Sequence, residues 1–325
     1  MRCSWSRYRG PVSHPRPIFD ASTAEIDRSI VGWPGGAVAA AAIAWFAGHA
    51  RDLPWRHRDT TAWGVLVSEV MLQQTPVVRV QPAWHAWMAR WPEPADLAGE
   101  PVAEAIRMWD RLGYPRRAMR LHACSAAITA SHGGRVPDDV TILRGLPGIG
   151  TYTAHAVAAF AYRQRHPVVD TNVRRFVSRA VGGQADAGDV TTTADLRATE
   201  ALLPEDPERA AQASAAFMEI GAVLCTARSP RCDECPLRTG CAWRSLGVPL
   251  PDAPSRRRQT YAGTERQIRG ALLATLRQSL HPVDQAHLDL SWPEPERRAK
   301  ALATLLADGL VTEISDGVYA LGSPS

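Results

Sequence analysis

Lysine is all but missing from this chain: of its 37 basic side chains only Lys300 is a lysine, and the rest are arginine. A genome biased toward arginine codons explains most of that imbalance, but it has a chemical consequence. No side-chain amine exists before residue 300, so Schiff-base chemistry on a lysine is hard to build there. What remains is planar, permanently charged and matched to phosphate by two parallel donors. Long hydrophobic runs are missing too. The most apolar early stretch, Ala37 to Ala50, is about half a membrane span, has a charged flank and lies far from Met1. It reads as a core helix of a protein with no membrane association, cytoplasmic, or nucleoid-associated if bacterial. Cysteine is scarce at six residues, and four of them crowd into 225–241, which in a cytosolic chain favours a metal site over disulfides. Cys3 and Cys124 look incidental. A net charge of +4 permits nucleic acid as a partner without demonstrating it.

What is present is ordinary globular material, 45% hydrophobic and 22% charged over 325 residues, enough for a sizeable core. Residues 1–35 carry Pro, Ser, Arg and scattered aromatics without a period and are expected to be a disordered extension. From Ala37 to about Gly221, helical runs alternate with Gly or Pro breaks, as in Trp63 to Gln74, Pro101 to Leu112, Arg116 to His132 and Thr153 to Tyr162. Residues 36–248 are therefore expected to form an all-α domain that includes the cysteine loop at 225–241. Residues 249–264, rich in Pro and Arg, read as a linker. In 265–325 the pattern gives helices around Ile268–Leu276, Val283–Leu290 and Glu294–Asp308, then a stop at Gly309. Val311–Ile314 and Val318–Leu321 then flank the turn Ser315-Asp316-Gly317. Three helices followed by a hairpin is the order of a small winged-helix-like α+β unit.

Two strings carry chemistry. Leu146-Pro147-Gly148-Ile149-Gly150 lies between two apolar helices, and its glycines allow a tight turn with close approach of a partner. The helix beginning at Thr151 points its free amides at the same place, which suits an anion such as a DNA phosphate. A ligand-free helix–helix turn explains the string equally well. The cysteines, spaced Cys225-x6-Cys232-x2-Cys235-x5-Cys241, can wrap one metal centre, whereas a structural zinc usually shows two Cys-x2-Cys pairs and here there is one.

Leu146 to Ala154 resembles the hairpin of the helix-hairpin-helix DNA glycosylases. Twenty residues after Gly150 comes Asp170, in Val168-Val169-Asp170-Thr171-Asn172-Val173-Arg174-Arg175, similar to that family's catalytic-aspartate segment. Ser68-Glu69-Val70-Met71-Leu72-Gln73-Gln74-Thr75 closely resembles the signature of the MutY-type adenine glycosylases, as does Leu53-Pro54-Trp55-Arg56 before it. Endonuclease III, a related family, has a different string there and lacks this glutamate. The resemblance spans Ala42 to Cys241, about three fifths of the chain. It implies the helix-hairpin-helix glycosylase fold and a [4Fe–4S] cluster on Cys225, Cys232, Cys235 and Cys241. It also implies a base-excision-repair enzyme that hydrolyses the N-glycosidic bond of adenine mispaired with 8-oxoguanine or guanine, acting on double-stranded DNA as a monomer.

Such a reaction needs two carboxylates in unlike settings: an acid that protonates the departing base and an ionised group that faces the developing oxocarbenium ion. By resemblance Glu69 is the acid, delivering a proton to N7, and Asp170 is the carboxylate, oriented with the water by Asn172. For Glu69 to hold a proton near neutrality it must be buried, and Val70, Met71 and Leu72 make that plausible. Bifunctional relatives attack the sugar with a lysine placed just after the hairpin; Tyr152 stands there in this chain, so little lyase activity is expected. The resemblance puts Trp55, Arg56 and Leu72 around the adenine and Gln74 and Thr75 in the gap beside the estranged base. It puts Tyr114 on the opposite-guanine side, with Arg116, Arg117 and Arg120 lining that segment and Gly148, Ile149 and Gly150 at the backbone. Arg228, Arg231, Arg238 and Arg244 make the cysteine loop basic. Two departures stand out. Pro115 replaces the family's usual second aromatic, and the 61 residues after Thr264 are too few for the MutT-like domain that commonly ends these proteins. The alternatives are a pyrimidine mismatch glycosylase, which would not need Glu69, and a non-enzymatic cluster-bearing DNA-binding protein.

Overall fold

The computed structural model describes residues 36–188, 190–248, 261 and 263–322; the expected extension over 1–35 and most of the expected linker lie outside them. Helices follow one another as α1 (Ala37–His49), α2 (Ala62–Leu72), α3 (Val77–Arg90), α4 (Pro94–Ala98), α5 (Val102–Trp109), α6 (Arg116–His132), α7 (Val140–Gly145) and α8 (Thr151–Tyr162). Then come α9 (Thr171–Ala180), α10 (Thr193–Glu200), α11 (Pro207–Val223) and α12 (Ala242–Ser245). Their ends follow local chemistry. Asp139, Asp170 and Asp206 accept the first free amides of α7, α9 and α11, and α6 stops at Gly133 with φ of 60°.

Two cores form on either side of a cleft. Residues 53–162 build the first, around Trp87, Trp91 and Trp109, whose rings meet edge to face at 4.7 and 5.7 Å between centroids. The second gathers Val38 and Ala42 of α1 with Val173, Phe176 and Val177 of α9 and Ala213, Phe217 and Ile220 of α11. Helix α1 thus leaves its sequence neighbours and packs on α11, and it buries only Val38, Ala39 and Ala42. It is a one-sided surface helix, not the core helix its composition suggests: alanine is small enough to be left exposed at little cost. Helix α8 belongs to both halves, with Ala154 and Val157 facing the tryptophan core and Ala156 and Ala159 facing Val168 and Ala211. At Gly221 a Cβ would stand 2.5 Å from the Asn172 carbonyl oxygen, so only glycine lets α11 approach the start of α9 so closely.

The last unit contains α13 (Glu265–Gln278), β1 (Val283–Asp284), α14 (Gln285–Asp289), α15 (Pro295–Ala307), β2 (Val311–Ser315) and β3 (Val318–Leu321), with a three-stranded antiparallel sheet in the order β1-β3-β2. The expected helix over Val283–Leu290 is corrected here. Its first two residues pair with Val318 and Tyr319 as a strand, and the helix starts only where Asp284 caps it. A two-residue strand is too short to leave a period in the sequence. This unit shares a core with the rest: Ile106 of α5 is fully buried among Ile268, Leu272, Leu310 and Leu321.

Candidate active site

A cavity of about 970 Å³ opens between the two cores, and Glu69, Tyr152, Asp170 and Asn172 all line it. They come from three pieces of chain: Glu69 from α2, Tyr152 from the first turn of α8, and Asp170 and Asn172 from the cap and first turn of α9. Trp55, Arg56, Leu72, Gln74 and Thr75 border the same space.

The two carboxyls have opposite surroundings. Glu69 is 4% exposed and faces one donor, the Tyr152 hydroxyl, while its Oε2 has no hydrogen-bond partner. Burial raises its pKa to about 7; the Tyr152 hydrogen bond and Arg56 pull against this, and the Asp170 charge adds to it. The Tyr152 hydroxyl is pushed well above its ordinary value by burial and by both carboxylates, so it stays a donor. Asp170 has both oxygens occupied: Oδ1 accepts the Val173 amide at 2.7 Å and Oδ2 accepts the Asn172 amide group at 2.8 Å. Burial still raises Asp170, but those donors and Arg175 favour its charged form. Two donors on Asp170 against one on Glu69 favour the charged form more at Asp170, so Glu69 is the better placed of the two to hold a proton.

Arg175 was not singled out from sequence. Its guanidinium donates to the Asn172 Oδ1 at 2.9 Å and to the carbonyls of Gly221 and Cys225 at 2.6 and 2.7 Å, so one planar fork holds Asn172 against the cysteine loop. Glu219 was also missed, since a glutamate inside an alanine-rich helix carries no local signal. It is fully buried and accepts from Arg51 at 2.7 and 2.9 Å and from Arg56 at 2.8 Å. Burial alone would raise its pKa; the Arg51 and Arg56 contacts bring it down to about 2. The bond from Arg56 to Glu219 aims Arg56, which also lies over the Phe46 ring at 5.3 Å, along the wall beside Glu69.

The remaining expected positions divide. Gln74 has φ of 55° and follows the end of α2, while Tyr114 has φ of 49° and is 51% exposed, outside the cavity. The Thr75 hydroxyl donates to the Leu112 carbonyl at 3.1 Å, tying the two turns together. Arg117 lines the Tyr114 segment from its buried side: its guanidinium donates to the Val70 and Met71 carbonyls, to Thr75 and to the Gly113 carbonyl. Burial takes its pKa down to about 10. The Val70 and Met71 carbonyls belong to the last turn of α2, and a five-donor group satisfies both at once. In the glycine turn, Gly148 has φ of 78° and a Cβ there would lie 2.8 Å from Arg120, so glycine is required twice over. Gly148 and Gly150 are exposed, whereas the Ile149 side chain is buried, leaving only its backbone to face a partner.

Cys225, Cys232, Cys235 and Cys241 line one cavity with Phe176, Leu224 and Leu237. Burial raises the Cys225 thiol and takes Cys235 to about 11, so thiolates here require a strongly cationic partner, which is what iron supplies. Arg179 reaches the Cys225 sulfur at 3.7 Å, binds the Thr226 carbonyl and lies 4.2 Å from the centre of the Trp243 ring. Four sulfur donors in an apolar wall fit an iron–sulfur cluster, which these side chains would hold. Cys124, by contrast, is buried in the tryptophan core.

Comparison with known proteins gives the following. A family model described as "HhH-GPD superfamily base excision DNA repair protein" matches residues 67–199, and one described as "Iron-sulfur binding domain of endonuclease III" matches 225–241. Adenine DNA glycosylases of Mycobacterium tuberculosis H37Rv and Mycolicibacterium smegmatis are 53% and 54% identical over 280 residues, spanning 86% of this chain and 91% and 94% of theirs. The human adenine DNA glycosylase is 38% identical over 210 residues, which is 62% of this chain and 38% of its own. Among solved structures, a thermostable thymine-DNA glycosylase aligns with a TM-score of 0.59 at 25% identity, over 65% of this chain and 96% of its own. A trapped endonuclease III–DNA covalent intermediate aligns with 0.56 at 23% identity, over 66% and 96%, a likeness of fold.

Proposed function

This chain belongs to the adenine DNA glycosylases, base-excision-repair enzymes of the HhH-GPD superfamily that act on DNA, and from that premise we infer how its residues divide the reaction. Glu69 delivers a proton to N7 of a flipped adenine as the C1′–N9 bond breaks and its electron pair passes to the base. Asp170, ionised, faces the positive charge that develops on the sugar, and water completes hydrolysis at C1′. Tyr152 keeps the Glu69 carboxyl oriented; Asn172 does the same for Asp170. The observation that carries this assignment is the contrast inside one cavity: a buried carboxyl with a free oxygen beside another whose two oxygens are both bonded.

The reaction is hydrolysis with little strand cleavage, because the residue that follows the hairpin is Tyr152 and the sole lysine, Lys300, lies in the C-terminal unit. Adenine opposite 8-oxoguanine or guanine is the substrate, with Gln74 and Thr75 filling the gap and Tyr114 beside the opposite base. The exposed glycine turn at 148–150 and the arginines of the cysteine loop meet the phosphates. The iron–sulfur cluster supplies a fixed fold for that loop. The protein works as a monomer in the cytoplasm; no helix among the described residues is long and apolar enough to cross a membrane. Single-turnover assays on adenine:8-oxoguanine, adenine:guanine and thymine:guanine duplexes, with and without borohydride, test the proposal. Adenine release without covalent capture is expected. Thymine release, or efficient capture of the enzyme on DNA, would overturn it.

A further inference from the structure

The C-terminal unit has the winged-helix order, but the faces such a unit normally turns to DNA are not basic. Along α15 the exposed residues include Glu296, Ala299, Lys300, Ala303 and Thr304, with Arg297 partly exposed beside them. Arg297 is engaged by Glu294 at 3.0 Å, and Arg298 is buried, donating to Asp289 at 2.8 Å. The hairpin exposes Glu313, Ile314, Ser315 and Asp316, which phosphate would repel.

Its other side is committed inward, to the two helices that carry the Tyr114 turn. On α5, Arg107 donates to the carbonyls of Leu276, Arg277 and Ser279, capping the end of α13, while Arg277 returns a bond to the Ile106 carbonyl at 3.0 Å and so caps the end of α5. At Gly322 a Cβ would stand 2.7 Å from Val102 Cγ1 and 3.3 Å from the Ala103 nitrogen, so the chain end lies close against the start of α5. On α6, Arg116 pairs with Asp308 at 3.3 Å, Asp308 pairs with Arg269 at 2.6 Å, and Met119 packs against Gly309. Between those grips lies a strained segment: Asp110, Gly113 and Tyr114 all have positive φ, 41°, 81° and 49°. Such a turn holds its shape only if its flanks are fixed. From inside, Arg117 and Trp109 hold the Gly113 carbonyl at 3.1 and 2.8 Å, and Arg117 lies under the Tyr114 ring at 5.5 Å. From outside, the C-terminal unit holds both flanking helices.

We propose that the C-terminal unit is a brace that sets the pose of Tyr114, and through it the enzyme's discrimination among bases opposite adenine, without itself contacting DNA. This rests on the assignment of Tyr114 to the opposite base. Arg107 and Asp308 are then positioning residues, and the test uses the full chain. Single-turnover excision rate constants are measured on adenine:8-oxoguanine and adenine:guanine duplexes for Tyr114→Ala, Arg107→Ala and Asp308→Ala. Partial unfolding lowers the burst amplitude on both duplexes alike and leaves the ratio of rate constants unmoved, so the ratio reads positioning and not mere stability. Tyr114→Ala is expected to change the ratio, and both brace variants to change it in the same direction, by at least about threefold for Arg107→Ala. If Tyr114→Ala moves the ratio while both brace variants stay within about twofold of the unaltered chain, the brace is refuted. If Tyr114→Ala itself leaves the ratio alone, the assignment of the turn has failed and the brace falls with it.

Discussion

Replacing Glu69 by glutamine should abolish adenine release and, at the same time, make the folded protein more stable. A carboxyl whose pKa moves from 4.5 to about 7 on folding is one whose charge the folded state resists. At ~1.4 kcal/mol per tenfold in proton affinity, that resistance amounts to about 3 kcal/mol as an upper value. The sign follows from proton linkage. Below about pH 4.5 the group is neutral whether the chain is folded or unfolded, and nothing is lost. Between there and about pH 7 the unfolded chain gives up its proton while the folded one keeps it, so stability falls as pH rises; above that the full cost is present. Glutamine is always neutral, fits the same volume and can still accept from Tyr152. Differential scanning calorimetry of the two proteins should therefore give equal Tm values near pH 4 and a Tm for Glu69→Gln higher by up to about 5 °C at pH 8. Glu219, which stabilises above the unfolded carboxylate range and loses that contribution as pH falls through about 2, affects both proteins alike and cancels. Equal Tm values at pH 8, or a lower one for the variant, would show that the carboxyl is not strained by burial, and the case for it as a stored proton would go with it.

Other outcomes follow from the same geometry. Excision by the free enzyme should decline as pH rises through about 7, where Glu69 loses its proton, and a rate that climbs steadily from pH 6 to 9 contradicts the acid role. Asp170→Asn keeps the cap on α9, because asparagine caps well, and so should melt normally while losing at least about a thousandfold in single-turnover rate; retention within tenfold counts against the sugar-facing carboxylate. Glu219→Ala removes the partner of the partly exposed Arg51 and Arg56 and should cost about 1.5–3 kcal/mol in denaturant unfolding, where a loss under about 0.5 kcal/mol would mean the arginines simply turn to water. Gly221→Ala, with its Cβ driven toward the Asn172 carbonyl, should depress excision more than binding to a mismatch duplex; an unchanged excision rate would mean α9 and α11 can part freely.

Local strings determined a good deal by themselves. The spacing of four cysteines, the glycine turn and the Glu69 and Asp170 segments are short-range patterns whose chemistry depends on residue type and interval, and all-α architecture is written in the 3.6-residue period. Helix caps at Asp139, Asp170 and Asp206 are local as well. Tertiary structure alone decided what each carboxyl feels. Glu69 lies 101 positions from Asp170 in the chain, and its raised proton affinity arises only because α2, α8 and α9 close around one cavity and exclude water. The same holds for Glu219 with Arg51 and Arg56, for Arg117 turned inward to satisfy helix ends, and for α1 pairing with α11 across most of the domain. Burial, desolvation and ion pairing are properties of neighbours in space, and a one-dimensional pattern carries residue chemistry but not distance. How the C-terminal unit seats on α5 and α6 belongs to this second kind, since it depends on one glycine, one reciprocal pair of arginine caps and an ion pair contributed by segments more than 150 residues apart.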